Sequence, residues 1–429
     1  MNFNMNFNNT PGLLEGRKKI EAGAYSCKQW LMDCRQVIRN HNPAIKALVH
    51  VDFDQALGAA REQDQNLSGG SLRGVPVAVK DVFDTADLPT EFNSPLHRGR
   101  RPTSNAACVE SLLAAGAVLI GKAATVEFAS VGRVAETVNP WDHHRTPGGS
   151  SSGSAAAVAT GMAPVALATQ TGGSTIRPAS FCGVAAMKPS YGVVSVEGLR
   201  PYAPSLDTVG WMTRGVADLA AVANALNVFP GPEPSGNAPR IGFYRTPYWE
   251  EALPETRAAL DWARARLAAA GVAVVDVDGP DNCDQLNQAQ DTIMHGEGKA
   301  AYWAEYQRWP EQLHSELRRE VENARGCSAA DLRWAHDYLG AMRGRFDQAF
   351  AGFDAWLTPA VPGQAPLGLS STGDAVFNRL WTGLHMPAVT LPGFRSEDKL
   401  PVGIQLVAPR FEDANLLRIA GLVEAALAG

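Results

Sequence analysis

The sequence predicts an α/β protein with a mixed or parallel sheet wrapped by helices. Three observations carry this expectation. Short β-branched runs such as Val75–Val79 recur along the chain. Such a run is apolar throughout, as in strands buried on both faces. Segments with apolar residues at helical spacing, such as Ser104–Gly116, lie between the runs.

In chain order, residues 11–65 read as helical, with Leu13, Leu14, Ile20, Trp30, Leu31 and Val37 at roughly helical spacing. Ala44–Val51 reads as more extended. Val75–Val79 is a buried strand ending at Lys80. Ser104–Gly116 is a helix, with Ser104 in the N-cap position and Gly116 just past its end. Ala117–Ile120 is a strand. Ala155–Thr169 is interrupted by Gly161 and Pro164, and reads as a helix end, a turn and a strand. Residues 231–240 read as a surface connection. Beyond it, Ile241–Phe243, Glu255–Ala270 and Val272–Val277 form a strand–helix–strand unit. Residues 285–350 are helical, charged and rich in Trp and Tyr. Residues 355–410 return to strands and Pro-rich turns, and a last helix starts near Glu412. There is no internal repeat.

The 429 residues admit two or three domains or one large α/β unit. With 45% apolar and 19% charged residues, the composition is that of an ordinary globular protein. The net charge is −6, and no Lys/Arg run is long enough to track phosphates. No nucleic-acid partner is expected. Six cysteines are scattered, and the nearest two, Cys27 and Cys34, are seven apart. Free, mostly buried thiols in a reducing, cytoplasmic compartment fit this usage. The start, MNFNMNFNNTPG, lacks the features of a secretory signal. No run of about 18 apolar residues predicts a membrane span.

Residues 145–183 differ from the rest, being dense in Gly, Ser, Thr and Ala with almost no charge. Thr146–Ser154 reads TPGGSSSGS, and Gln170–Ser180 reads QTGGSTIRPAS. Both put a serine directly after Gly-Gly. Glycine lets a ligand approach the main chain closely, and consecutive N–H groups in such a turn can face one anion. Acyl transfer needs this pairing of a hydroxyl nucleophile with oxyanion donors. The hydroxyl also needs a base, and Lys80 ends a strongly apolar strand. Burial can lower a lysine from about 10.4 by as much as about 3–5 units. The simpler account pairs Lys80 with Asp81 or Asp84.

Rival motifs are weaker. Gly149–Gly153 (GSSSG) matches a nucleophile elbow centred on Ser151, but HHRTP precedes it where an apolar strand is required. Gly116–Ala123 (GAVLIGKA) nearly matches a P-loop, yet it ends in Ala and its interior is an apolar strand. His143–His144 alone is not a metal site.

Gly74–Asp81 (GVPVAVKD), Asn139–Asp142 with Thr146–Ala157 (NPWD, TPGGSSSGSAAA) and Thr171–Pro189 together resemble the amidase signature family. Ser205–Gly210 (SLDTVG) and Val402–Pro409 (VGIQLVAP) add to the resemblance. It is strong over residues 65–225 and looser in the C-terminal third. It implies a single large domain with a central mixed β-sheet covered by helices on both faces. Residues 1–65 would be an N-terminal helical region and 66–429 the amidase signature domain. Within that domain, 66–225 would be the catalytic core and 285–350 a helical, substrate-shaping insertion.

The resemblance further implies a Ser–cis-Ser–Lys triad. Lys80 deprotonates Ser150, the cis-peptide serine, which activates the nucleophile Ser174. Main-chain N–H groups of Thr171, Gly172, Gly173 and Ser174 form the oxyanion hole, and water hydrolyses the acyl-enzyme. No cofactor and no metal are implied. The partners are a small amide-type substrate and water, with a homodimer left open. Three residues depart from the family pattern: Ser152 replaces a Gly, Gln170 replaces an Asp, and Arg177 follows the nucleophile by three positions rather than two.

The favoured function is a stand-alone hydrolase of amides or aryl amides, with carbamates and esters left open. The alternative is the glutaminase (A) subunit of a glutamyl-tRNA amidotransferase, which is usually longer and carries an Arg-Tyr-Asp segment not found here. Trp303, Trp309, Trp334, Phe377, Trp381 and Met386 are candidates for an apolar pocket wall, the plainer expectation being that most are core.

Overall fold

The computed structural model of the chain describes residues 10–66, 69–229 and 239–429. The N-terminal region holds helices α1 (Leu13–Glu21), α2 (Cys27–Ile45) and α3 (Phe53–Gln65), with strand β1 (Leu48–His50) between the last two. Ser26 accepts from the Gln29 amide and Asp52 from the Gln55 amide, so α2 and α3 both start on a side-chain cap. β1 pairs antiparallel with β3 (Val118–Ala123), Leu48 opposite Ala123. The N-terminal helices are therefore tied to the sheet.

The strands β2 (Pro76–Lys80), β4 (Val165–Gln170), β5 (Ala185–Lys188) and β6 (Thr208–Thr213) follow. Past them come β7 (Ile241–Tyr244), β8 (Val274–Val277), β9 (Ala355–Pro359), β10 (Ala388–Arg395) and β11 (Pro401–Val407). Together they make one 11-stranded sheet in the order β1-β3-β2-β4-β6-β5-β10-β11-β9-β7-β8. β3, β2 and β4 are parallel, β4 through β9 are antiparallel neighbours, and β9, β7 and β8 are parallel. The sheet is mixed, as expected. Every residue of β2, β4, β5, β6, β9 and β11 is buried, which requires cover on both faces.

That cover comes from α4 (Ala107–Ala114), α5 (Ser152–Ala159), α6 (Ile176–Cys182), α7 (Val216–Ala225), α8 (Pro254–Ala269) and, further on, α14 (Asp413–Ala428). The 285–350 segment resolves into α9 (Leu286–Ala301), α10 (Trp303–Arg308), α11 (Ser315–Val321) and α12 (Ala329–Ala349). Ser328 and Asp331 form a capping box at the start of α12.

Two sequence expectations shift. Ser104 does not cap α4. The helix starts at Ala107, because the Ala106 and Ala107 amides donate to the Asp84 and Glu197 carbonyls and hold the approach extended. The 355–410 region also contains a helix that the Pro- and Gly-rich sequence hides, α13 (Val376–Gly383). Of the expected connection 231–240, only residues 239 and 240 lie within the described residues.

Candidate active site

β2 and β4 run parallel, with Val79 opposite Leu167, so their C-terminal ends reach the same edge of the sheet. Ligand sites of α/β sheets gather at such edges. Lys80 ends β2 and is wholly buried. Its Nζ is hydrogen-bonded to Ser150 Oγ at 2.8 Å and to Thr169 Oγ1 at 2.6 Å. The simpler account of this lysine fails on geometry: Asp81 pairs with Lys122 at 3.3 Å, and Asp84 binds Arg100 at 2.7 Å. Among the described residues Lys80 has no carboxylate in ion-pair contact. Burial drives its ammonium well below the usual lysine range, against the field of Asp207.

The Gly149–Ser150 peptide is cis. Arg177 donates from Nη2 to the Gly149 carbonyl at 2.7 Å and from Nη1 to the Gly373 carbonyl at 2.6 Å. It thus anchors the Ser150 turn to a distant loop. Ser151, the rival nucleophile, is fully buried and shares its Oγ with the Thr169 backbone at 3.3 Å. Ser152 and Ser154 donate to the Gly148 and Leu167 carbonyls at 2.7 and 2.8 Å. These three serines are turn and packing residues, and the extra hydroxyl of Ser152 has a partner.

Ser174 sits in the turn between β4 and α6, 8% exposed, and its carbonyl accepts from the Ser151 amide at 3.3 Å. This joins the two Gly-Ser blocks. Successive carbonyls of the turn are each tied back. Thr171 O accepts from Gln290 Nε2 at 2.9 Å, Gly172 O from Thr382 Oγ1 at 2.7 Å, and Gly173 O from the Arg177 amide at 3.0 Å. In a planar trans peptide the next N–H points the opposite way. The amides of Gly172, Gly173 and Ser174 therefore face away from the anchors, and no acceptor for the 171–174 amides is found among the described residues. Backbone donors left without a partner in a turn of this kind can stabilise an oxyanion.

Gln170 explains its own departure from the family pattern. Its Oε1 accepts from the Thr175 and Ile176 amides at 3.0 and 3.1 Å, so Nε2 must face Thr382 Oγ1, 3.0 Å away. That hydroxyl accepts from Gln170 and keeps its proton for Gly172. Gly173 has to be glycine, because a Cβ there would lie 2.5 Å from Asn378 Oδ1 and 2.8 Å from Ala375 Cβ.

The sequence marked Gln170 but missed Thr169, Gln290, Asn378 and Thr382. Asp207 lay inside a noticed block. It accepts from Thr171 Oγ1 at 2.5 Å and from the Tyr202 and Ala203 amides, and burial raises its carboxyl to about 6. Of the pocket-wall candidates, Phe377, Trp381 and Met386 are fully buried core. Trp303 is half exposed and stacks on Tyr306, and Trp309 is half-buried. Trp334 lines a cavity of about 580 Å³ with Gln285, Gln288, Asp291, Thr292 and His295. That lining is largely polar.

A mixed-sheet α/β protein with a buried lysine on a cis-peptide serine, beside a Gly-Gly-Ser turn of free amides, defines a narrow class. A family model described as Amidase matches residues 31–417, and the chain belongs to that family of carbon–nitrogen hydrolases. It is 35% identical to the A-type subunit of the glutamyl-tRNA(Gln) amidotransferase of Chloroflexus aggregans, with 93% of each chain covered. It also matches a chain of an inhibitor-bound vestigial protein complex described as revealing the evolutionary origins of an s-triazine catabolic enzyme, at 26% identity, 97% and 99% coverage and a TM-score of 0.87. A third match is the native peptide amidase of Stenotrophomonas maltophilia, at 26% identity, 99% and 98% coverage and a TM-score of 0.82. No helix among the described residues is long and apolar enough to cross a membrane. All six cysteines are free, four of them buried.

Proposed function

We propose that the chain hydrolyses a small amide-type substrate through an acyl-enzyme on Ser174. The observation that carries this is the 2.8 Å contact between buried Lys80 and cis-peptide Ser150. Lys80, kept neutral by burial, takes the Ser150 proton while Ser150 takes the Ser174 proton. Ser174 Oγ bonds to the substrate carbonyl carbon, and the oxyanion rests on the amides of Thr171, Gly172, Gly173 and Ser174. Collapse breaks the C–N bond, and the proton returns through Ser150 to the leaving amine. Water then attacks the acyl-Ser174 ester by the same route and releases the acid. The 285–350 helices shape the substrate space, and the free cysteines fit a cytoplasmic protein.

The test is Ser174→Ala, with intact-mass detection of an acyl adduct on the wild type during turnover. Loss of turnover and of the adduct in a folded variant is expected. Full activity would sink the assignment and return attention to Ser151. The 35% identity to the A-type component of a glutamyl-tRNA(Gln) amidotransferase supports a second reading, a glutaminase component working in a complex. Gel filtration with a glutaminase assay separates the two. Ready glutamine hydrolysis that requires partner proteins would favour the second.

A further inference from the structure

α13 brings a charged side chain beside the Gly172 turn. Ala375, Asn378, Arg379 and Thr382 fall on one side of this helix by their spacing of three and four. Ala375 and Asn378 pack on Gly173, and Thr382 binds the Gly172 carbonyl. Arg379 stands on the same turn, its Cγ 3.9 Å from where a Cβ on Gly172 would be. Its side chain is 31% exposed.

The other charged groups around the turn are committed. Lys80 binds two hydroxyls, Arg177 binds two carbonyls, and Asp207 accepts from Thr171, Tyr202 and Ala203. Arg379 makes no side-chain hydrogen bond among the described residues. Its one ion pair there is with Asp374 at 3.5 Å, and Asp374 is 57% exposed. An exposed pair of this kind contributes little and exchanges readily. Arg379 also adds to the field that, with His295 and Arg325, holds Asp291 low against the cost of burial. Asp291 lines the 580 Å³ cavity, so Arg379 is within electrostatic reach of that cavity as well as beside the Gly172 turn. The apolar alternative is weakened because Phe377 and Trp381 of the same helix are core.

We infer that Arg379 anchors a carboxylate on the substrate, displacing Asp374, so that the preferred amides are anionic. This rests on the hydrolase reading above. A planar guanidinium suits a carboxylate because its two donors match two oxygens.

The experiment compares malonamate, succinamate and glutaramate with their neutral methyl-ended counterparts, in wild type and Arg379→Ala. In the wild type, kcat/KM should favour at least one anionic amide over its counterpart. In Arg379→Ala that ratio should fall about tenfold to hundredfold, mainly through KM, as for one charge-assisted contact. Arg379→Lys should recover part of it. An unchanged ratio in Arg379→Ala, or a wild type that favours the neutral amides, would overturn the inference. If no amide is turned over, the hydrolase reading fails separately. Calorimetry of succinamate and glutaramate on Ser174→Ala, with and without Arg379→Ala, then still decides the anchor: binding lost with the arginine supports it, and equal or absent binding refutes it.

Discussion

The two sides of the Gly172–Ser174 turn are built differently. One side faces Lys80 and Ser150, which come from β2 and the first Gly-Ser block. The other is held by Gln290 on α9 and Thr382 on α13, from segments about 120 and 210 residues downstream of the turn. In the proposed mechanism the first side carries the reactive groups. The second makes no proton transfer there, and it holds the Thr171 and Gly172 carbonyls in place. Reactive groups are recognisable by type, whereas aiming groups are recognisable only by position.

Breaking the first side should have the largest effect. Lys80→Ala should lower kcat/KM by about 10⁴-fold or more with the fold retained, because loss of one member of a nucleophile–base unit disables the whole. Circular dichroism alongside steady-state kinetics checks this. Breaking the second side should be milder. Thr382→Val and Gln290→Leu each free one carbonyl and loosen one amide. Each should reduce kcat by about 10–100-fold, below the full loss of an oxyanion donor, with little change in KM. A pure KM effect would show that these residues act on binding instead.

The pH profile sharpens the same contrast. In the proposed mechanism the reactive form of Lys80 is the neutral amine, and burial depresses its ionisation. Activity should therefore be low in acid and rise with pH through that depressed ionisation. Thr382→Val should keep the shape of the curve while lowering its height. A shifted acid limb in Thr382→Val would show that the two sides are coupled.

The smallest effects separate core from surface among the aromatics. Trp381 is buried against Tyr244 and Phe346, so Trp381→Ala should cost about 3–5 kcal/mol of stability. Trp303 is half exposed, and Trp303→Ala should stay within about 0.5 kcal/mol. Chemical denaturation measures both.

Much of the scaffold was legible because it is local. The β2 run announces a buried strand, Gly161 and Pro164 divide α5 from β4, and Gly116 ends α4 with φ +93. α13 was not legible. It has eight residues and follows a Gly- and Ser-rich approach, and its polar side of Asn378, Arg379 and Thr382 is turned largely into the protein rather than to solvent, beside buried Phe377 and Trp381. Those polar residues are tolerated inside only because distant partners meet them, such as Ala360 O for Asn378 at 2.9 Å.

By itself, the sequence supplied the candidates for the chemistry: a lysine closing an apolar strand, and the Gly-Gly-Ser serines Ser150 and Ser174, 24 positions apart. Residue type marks such candidates, and the resemblance to the amidase signature family is what gave them roles. Tertiary structure alone decided what state and direction they take. The parallel register of β2 with β4 puts Lys80 deep inside against the Ser150 and Thr169 hydroxyls, and that burial lowers its ionisation against the field of Asp207. α9 and α13 orient the amides from far along the chain. Desolvation and hydrogen-bond direction depend on what surrounds a group in space, and sequence spacing does not carry that information.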